Sequence, residues 1–174
     1  WRQVSTSHIR GEETSQYLID RCLMRPRALI ELVRFCRSHA VNLQHPRIET
    51  SDIDQGEEAH SNALLDNINF EIRDVFPAAG DLLYDFIEAP ELLFGSDIKT
   101  ILTDKIGDAK WTAAFDLLLW YGFVGVVRED SETSYIYSVK YDMKRLRAIA
   151  FKKELESTMF RINPAFWTAL EVKH

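Results

Sequence analysis

Apolar residues spaced three and four apart run through the first half of the chain and predict helices there. Within RPRALIELVRFCRSHAVNL, residues 25–43, one side collects Leu29, Leu32, Val33, Cys36, Ala40 and Leu43. The other side collects Arg27, Glu31, Arg34 and Ser38, so the segment predicts an amphipathic helix. Pro26 suits its first position, where a missing N–H costs nothing, and Pro46 lies beyond its end. A shorter helix precedes it, capped by Thr14 or Ser15 and running to Met24, with Tyr17, Leu18 and Cys22 on one face. The next helix is capped in Thr50-Ser51-Asp52, carries acids in its first turn where the macrodipole favours them, and extends to about Val75 before Pro77. Gly56 falls within its first two turns.

After Pro77 the pattern changes. Residues 78–89, 96–106 and 108–123 each read as a helix, the second capped by Ser96 and the third by Asp108. Two β runs follow, FVGVV (123–127) and SYIYSV (134–139), joined by the polar turn REDSET. Three helices and then a hairpin is the order of a winged helix-turn-helix. The end of the chain holds a charged helix in DMKRLRAIAFKKELES and then FRINPAFWTAL, in which Pro164 opens another helix. The expected class is mainly α, a helical segment followed by a winged helix with one small β-hairpin. The expected division is a tail at 1–11, a helical segment at 12–76, a winged helix at 77–141 and a C-terminal helical extension at 142–174 that packs on the winged helix.

Charge changes this picture. Residues 21–47 hold six arginines (21, 25, 27, 34, 37, 47) against Glu31, six minus one or +5. Residues 48–74 hold eight acids (49, 52, 54, 57, 58, 66, 71, 74) against Arg73, a net −7. Two antiparallel helices pairing their charged faces would explain this. So would a basic face partly kept for an anionic ligand or partner. The whole chain carries −6, which disfavours non-specific binding to nucleic acid. Cys22 and Cys36 sit at apolar positions without CxxC spacing and are expected to be reduced core cysteines of a cytoplasmic protein. No apolar run approaches the roughly 20 residues that span a bilayer, so no membrane association is expected.

Catalytic signatures are missing. The chain has no GxxxxGK[ST], no GxGxxG and no GxSxG, and its histidines show no ligand spacing, so neither an enzyme nor a metal site is expected. His39 and His60 read as polar positions at helix edges. The acids Asp52, Asp54, Glu57 and Glu58 lack the pattern of a calcium loop and read as a solvated or arginine-paired helix start. The third helix of the winged unit offers Asp108, Lys110, Thr112 and Asp116 beside a run of apolar residues, which is poor material for reading bases. Its apolar positions, Trp111, Phe115, Leu118 and Leu119, are expected to be buried. The other basic patch is Lys144, Arg145, Arg147, Lys152 and Lys153.

Taken together, RPRALIELVRFCRSHA, the acidic helix after it, a winged helix ending in IYSV, and FRINPAFWTAL resemble the region that follows the nucleotide-binding core in bacterial P-loop ATPases of the AAA-like, STAND and KAP kind. The resemblance covers roughly residues 15–172. It implies a non-catalytic C-terminal regulatory and interaction module, with a stress or phage-defence system as one setting, whose ATPase core lies upstream in the same polypeptide; the chain does not start with Met and is expected to be a fragment. It implies that an arginine just inside the first lid helix senses nucleotide, with Arg27 the better match and Arg25 the second, and that ATP and Mg²⁺ bind only in the full-length protein. Alternatively both arginines pair with the acidic helix. A protein partner or self-association is expected and DNA is not, although a winged-helix nucleic-acid-binding regulator is the alternative function.

Overall fold

The structure, a computed structural model, describes residues 4–151 and 154–173. It is mainly α. In chain order the elements are a small antiparallel hairpin of β1 (His8–Ile9) and β2 (Glu12–Glu13), helices α1 (Thr14–Asp20), α2 (Pro26–Asn42) and α3 (Thr50–Val75), and strand β3 (Leu92–Phe94). Helices α4 (Gly95–Ile106) and α5 (Trp111–Trp120) follow, then β4 (Val124–Val127), β5 (Thr133–Ser134), α6 (Met143–Ala150) and β6 (Met159–Ile162).

Two apolar cores result. The smaller joins Ile9, Tyr17, Leu18, Cys22, Leu32, Cys36 and Ile53. The larger runs from the second half of α3 through the C-terminal segment and includes Phe86, Phe115, Phe123, Phe160 and Phe166. α3 is long enough to serve both: Ile53 belongs to the first, and Leu65, Ile68 and Ile72 to the second. α2 packs on the first half of α3 with Leu32, Cys36 and Ala40 inward. Leu43, expected on that inner side, is exposed just past the helix.

The hairpin read at 123–139 forms, but it is shorter and belongs to a four-stranded sheet of order β3-β6-β4-β5. The second run contributes only Ser134, which pairs together with Thr133 of the expected turn, because residues 136–139 close into a 3-10 turn instead. One of the two inner strands, β6, comes from the C-terminal segment. Phe160 lies opposite Leu93 on one side and Val126 on the other, and its ring meets Phe115 edge-on at 5.3 Å. The expected extension at 142–174 is therefore helical only at α6 and in short turns such as Pro164–Phe166.

Three further expectations are corrected. Residues 4–11 are no loose tail. The Thr6 N–H donates to the Ile48 carbonyl, Ile9 is buried, and the Thr14 hydroxyl donates back to the Thr6 carbonyl rather than capping α1. Residues 78–89 form 3-10 turns at Pro77–Ala79 and Leu82–Phe86, broken by Asp81 in the left-handed region. α5 begins at Trp111 rather than Asp108, and Phe115, Leu118 and Leu119 are fully buried while Trp111 is half-buried.

Candidate functional site

The two arginines flanking Pro26 are placed by strain upstream of them. Leu23 and Met24 both take left-handed backbone, φ 51° and 53°, a conformation that costs non-glycine residues free energy and persists only where packing enforces it. Here the enforcing contact is Leu23, whose side chain is buried in the larger core while α1 behind it belongs to the smaller one. The turn closes through the Arg25 N–H and the Cys22 carbonyl at 2.8 Å, and Arg25 adopts the extended backbone that a following proline requires. Arg25 is half-buried beside Tyr121, where its charge works against the upward push of burial on that phenol. Arg27, in the first turn of α2, is exposed. Neither arginine has an ion pair among the described residues.

Farther along α2, pairing of the two charged helix faces would bring Arg34 and Arg37 to acids of the 48–74 segment. The two arginines do not reach them. Both point outward and line an open depression of about 390 Å³ with Glu31, Phe35, Ser38 and Val41. The reason is geometric, since the two helices meet through small residues instead of their charged faces. Gly56 lies so close to Cys36 that a Cβ there would come within 2.7 Å of the Cys36 backbone nitrogen. The outer face of α2 consequently looks away from α3.

The charge between the two segments is matched at two buried points instead. At the first, Glu57 on α3 is about 5% exposed and accepts three bonds. They come from Arg21 Nε at 2.8 Å, the Tyr17 hydroxyl at 2.6 Å and the Thr168 hydroxyl at 3.1 Å. The Arg21 guanidinium also lies over the Tyr17 ring, 3.4 Å from its centroid, and Arg10 bridges Tyr17 to Asp54. Burial and the bond to Glu57 push the Tyr17 phenol well above its usual range, so it remains a donor. One turn on, Ser61 donates to the Ala165 carbonyl and accepts from the Ala169 N–H. Glu57 and Ser61 together tie the C-terminal segment to the N-terminal helices. The arginine-paired reading of these acids holds for Glu57 with Arg21 and Asp54 with Arg10, but sequence reasoning missed the burial of the cluster, although Glu57 falls among core positions Ile53, Gly56 and Leu64, a visible sign of a buried carboxylate.

The second point is Asp52, which is fully buried. It accepts the Glu49 N–H at 2.8 Å, His39 Nδ1–H at 2.7 Å and His45 Nδ1–H at 2.9 Å. Burial would raise its pKa, but these bonds outweigh it and hold the carboxyl below the usual range. The same contact raises His45. His60, read as a helix-edge position, is instead buried with both ring nitrogens unpartnered, and burial lowers its pKa. The signs then follow. Asp52 contributes stability that is lost in acid, and His45 contributes stability that is complete below about pH 6.5 and lost as pH rises through its folded value. His60 acts the opposite way, favouring the fold as pH rises through the ordinary histidine range. A His45→Gln variant loses the contribution that falls with pH, so its stability, followed by denaturant melts, should climb more steeply between about pH 5 and 7 than that of the parent. A variant as flat or as falling as the parent over that range would contradict the assignment.

The other basic patch is only partly assembled. Lys144 is exposed, and Arg145 lines a groove of about 820 Å³ with Ile149, Met159 and the acid-bearing turn Glu129-Asp130. Arg147 lies 3.3 Å from Asp116, an ion pair without hydrogen-bond alignment. Lys152 and Lys153 fall outside the described residues. The solvent side of α5 presents Thr112, Ala113 and Trp120, with Lys110 and Asp108 just before it, and no row of base-reading side chains. Cys22 and Cys36 are free and buried, burial pushing both thiols up to about 12, so they are neutral core residues. Among the described residues no group of three or more His, Cys, Asp or Glu side chains is arranged to hold a metal ion, and no helix is long and apolar enough to cross a membrane.

Comparison with known families finds one match. Residues 1–69 match the family model of the FunZ-associated C-terminal helical domain. The match spans the hairpin, α1, α2 and most of α3, and so takes in the whole of the smaller core. No curated protein and no solved structure matches the chain.

Proposed function

We propose that this chain is a non-catalytic regulatory and interaction module that follows the ATPase core of a bacterial P-loop protein, and that Arg27, with Arg25 second, reads the phosphates of a nucleotide held by that core. The observation carrying this reading is that both arginines flank Pro26 without a carboxylate partner while acid-rich α3 packs alongside their helix. Cations at a helix start are disfavoured by roughly 0.3–1 kcal/mol, and nothing in the fold offsets that for Arg27. A charge-assisted, bidentate contact to phosphate oxygens would offset it several times over. The description of the matched family, a C-terminal helical domain, supports a module placed after another unit. The donor set fits phosphate only from the outside: with no glycine-rich loop to wrap a nucleotide, the chain supplies a cationic contact, and ATP and Mg²⁺ would be held by the core.

Replacing Arg27 with Ala tests this in two places. In this chain the melting behaviour should stay within about 0.5 kcal/mol of the parent, as expected for an exposed side chain without partners. In the longer protein carrying the core, nucleotide-dependent activity should fall about tenfold or more, the effect of losing one charge-assisted contact of roughly 1.5–3 kcal/mol. A large drop in stability would make Arg27 structural, and unchanged activity would remove its sensing role. Steeply salt-dependent DNA binding would favour the nucleic-acid regulator instead.

A further inference from the structure

α2 and α3 are antiparallel neighbours in which Gly56 faces Cys36, and α3 is nine residues longer, 26 against 17. Counting from that contact, Pro26 stands level with Asp66, so roughly the last ten residues of α3, about 15 Å of helix, run past the first residue of α2. The helical period carries the side of α3 that bears Gly56 onward to Phe70 and Asp74, with Glu71 beside them. That side, covered by α2 higher up, is exposed to solvent here at Phe70, Glu71 and Asp74, with Tyr121 and Arg25 of the same chain nearby. Phe70 is 53% exposed, and neither Glu71 nor Asp74 has an ion pair among the described residues. What would suit this strip is a cationic helix carrying apolar side chains.

The chain itself presents such a surface. At spacings of four, three and four, Ile30, Arg34, Arg37 and Val41 form one stripe on the outer face of α2. Ile30 and Val41 are 66% and 62% exposed, and the two arginines between them have no ion pair among the described residues. The stripe is apolar, basic, basic, apolar; the end of α3 is an aromatic ring with Arg73 over one face, 4.6 Å from its centroid, and Glu71 and Asp74 beside it. A net charge of −6 favours a protein surface over nucleic acid as the occupant.

We propose that a second copy of this chain covers these surfaces, the outer stripe of α2 in one copy seated on the open end of α3 in the other and reciprocally, as a two-fold contact requires. Arg27 is not needed for the contact, so it is independent of the phosphate role argued above.

Sedimentation of the chain across a concentration series tests it. The expected result is a reversible doubling of mass at low ionic strength that weakens as salt is raised. Arg34→Glu with Arg37→Glu, and separately Glu71→Arg with Asp74→Arg, should each weaken self-association by about tenfold or more, because like charges then face one another. Mixing the two reversed proteins should restore the pair, since each then carries the complement of the other. Melts of the reversed proteins check that all four surface changes leave the fold intact. A chain that stays monomeric at all concentrations, a dimer indifferent to both reversals, or a mixture that does not reassociate would each overturn the proposal.

Discussion

Glu57→Ala is expected to destabilise the fold by about 3–5 kcal/mol, because it strands a buried guanidinium. For a chain of this size that corresponds to a fall in Tm of roughly 6–20 °C. Glu57 is the shared acceptor of Arg21, Tyr17 and Thr168, which come from the end of α1, from α1 itself and from the C-terminal segment. Its loss leaves the Arg21 charge without its partner and the Tyr17 hydroxyl without an acceptor, in a site closed to water. The C-terminal segment also loses one of its ties to α3, leaving the bonds of Ser61. Glu57→Gln retains the shape and one acceptor oxygen, so its loss should be smaller, and this ordering separates charge from packing. Denaturant melts of the two variants measure it. A loss below about 1 kcal/mol for Glu57→Ala would show that the cluster is solvated and dispensable.

Gly56→Ala should also destabilise, against the direction that helix propensity alone gives. Alanine at an exposed helix interior is favoured over glycine by about 1 kcal/mol. At position 56 the added methyl would lie 2.7 Å from the backbone nitrogen and 2.9 Å from the Cα of Cys36, atoms that cannot rotate away. α2 must then move off α3, separating Leu32, Cys36 and Ala40 from Ile53, and overpacking of this kind costs typically about 1–3 kcal/mol. Thermal melts read the sign directly, and a stabilised variant would mean that the helices meet less closely than described. Because Asp52 with its histidines sits one turn before Gly56, the same displacement should blunt the pH dependence assigned to His45.

The phosphate-sensing role and the two-fold contact use different residues of α2, and their tests fail separately. Arg27 answers to the nucleotide-dependent activity of the longer protein. Arg34 and Arg37 answer to the mass of this chain in solution.

The elements legible along the chain are those whose causes lie within a few residues of one another. The apolar stripe of α2, the proline at its start, the acids opening α3 and the apolar run of α5 each place a helix correctly, because a helix is built from contacts three and four residues apart. The first hairpin strand at Val124–Val127 was legible for the same reason. The expected arginine pairs along α2 failed because net charge per segment says nothing about which faces meet, and a glycine and a cysteine decided that instead. The helix read at 78–89 failed because apolar residues there serve a core built from both ends of the chain, and short turns deliver them to it as well as a helix does. Only the tertiary structure placed β6 inside the sheet, since its partners stand more than 30 residues away in sequence and the alternation in MFRI is equally suited to an edge. Only it brought Arg21, Glu57 and Thr168 to one point. A buried ion pair and an inner strand are chosen by which surfaces are left once the helices have packed, and that is a property of the whole fold, which no window of neighbouring residues contains.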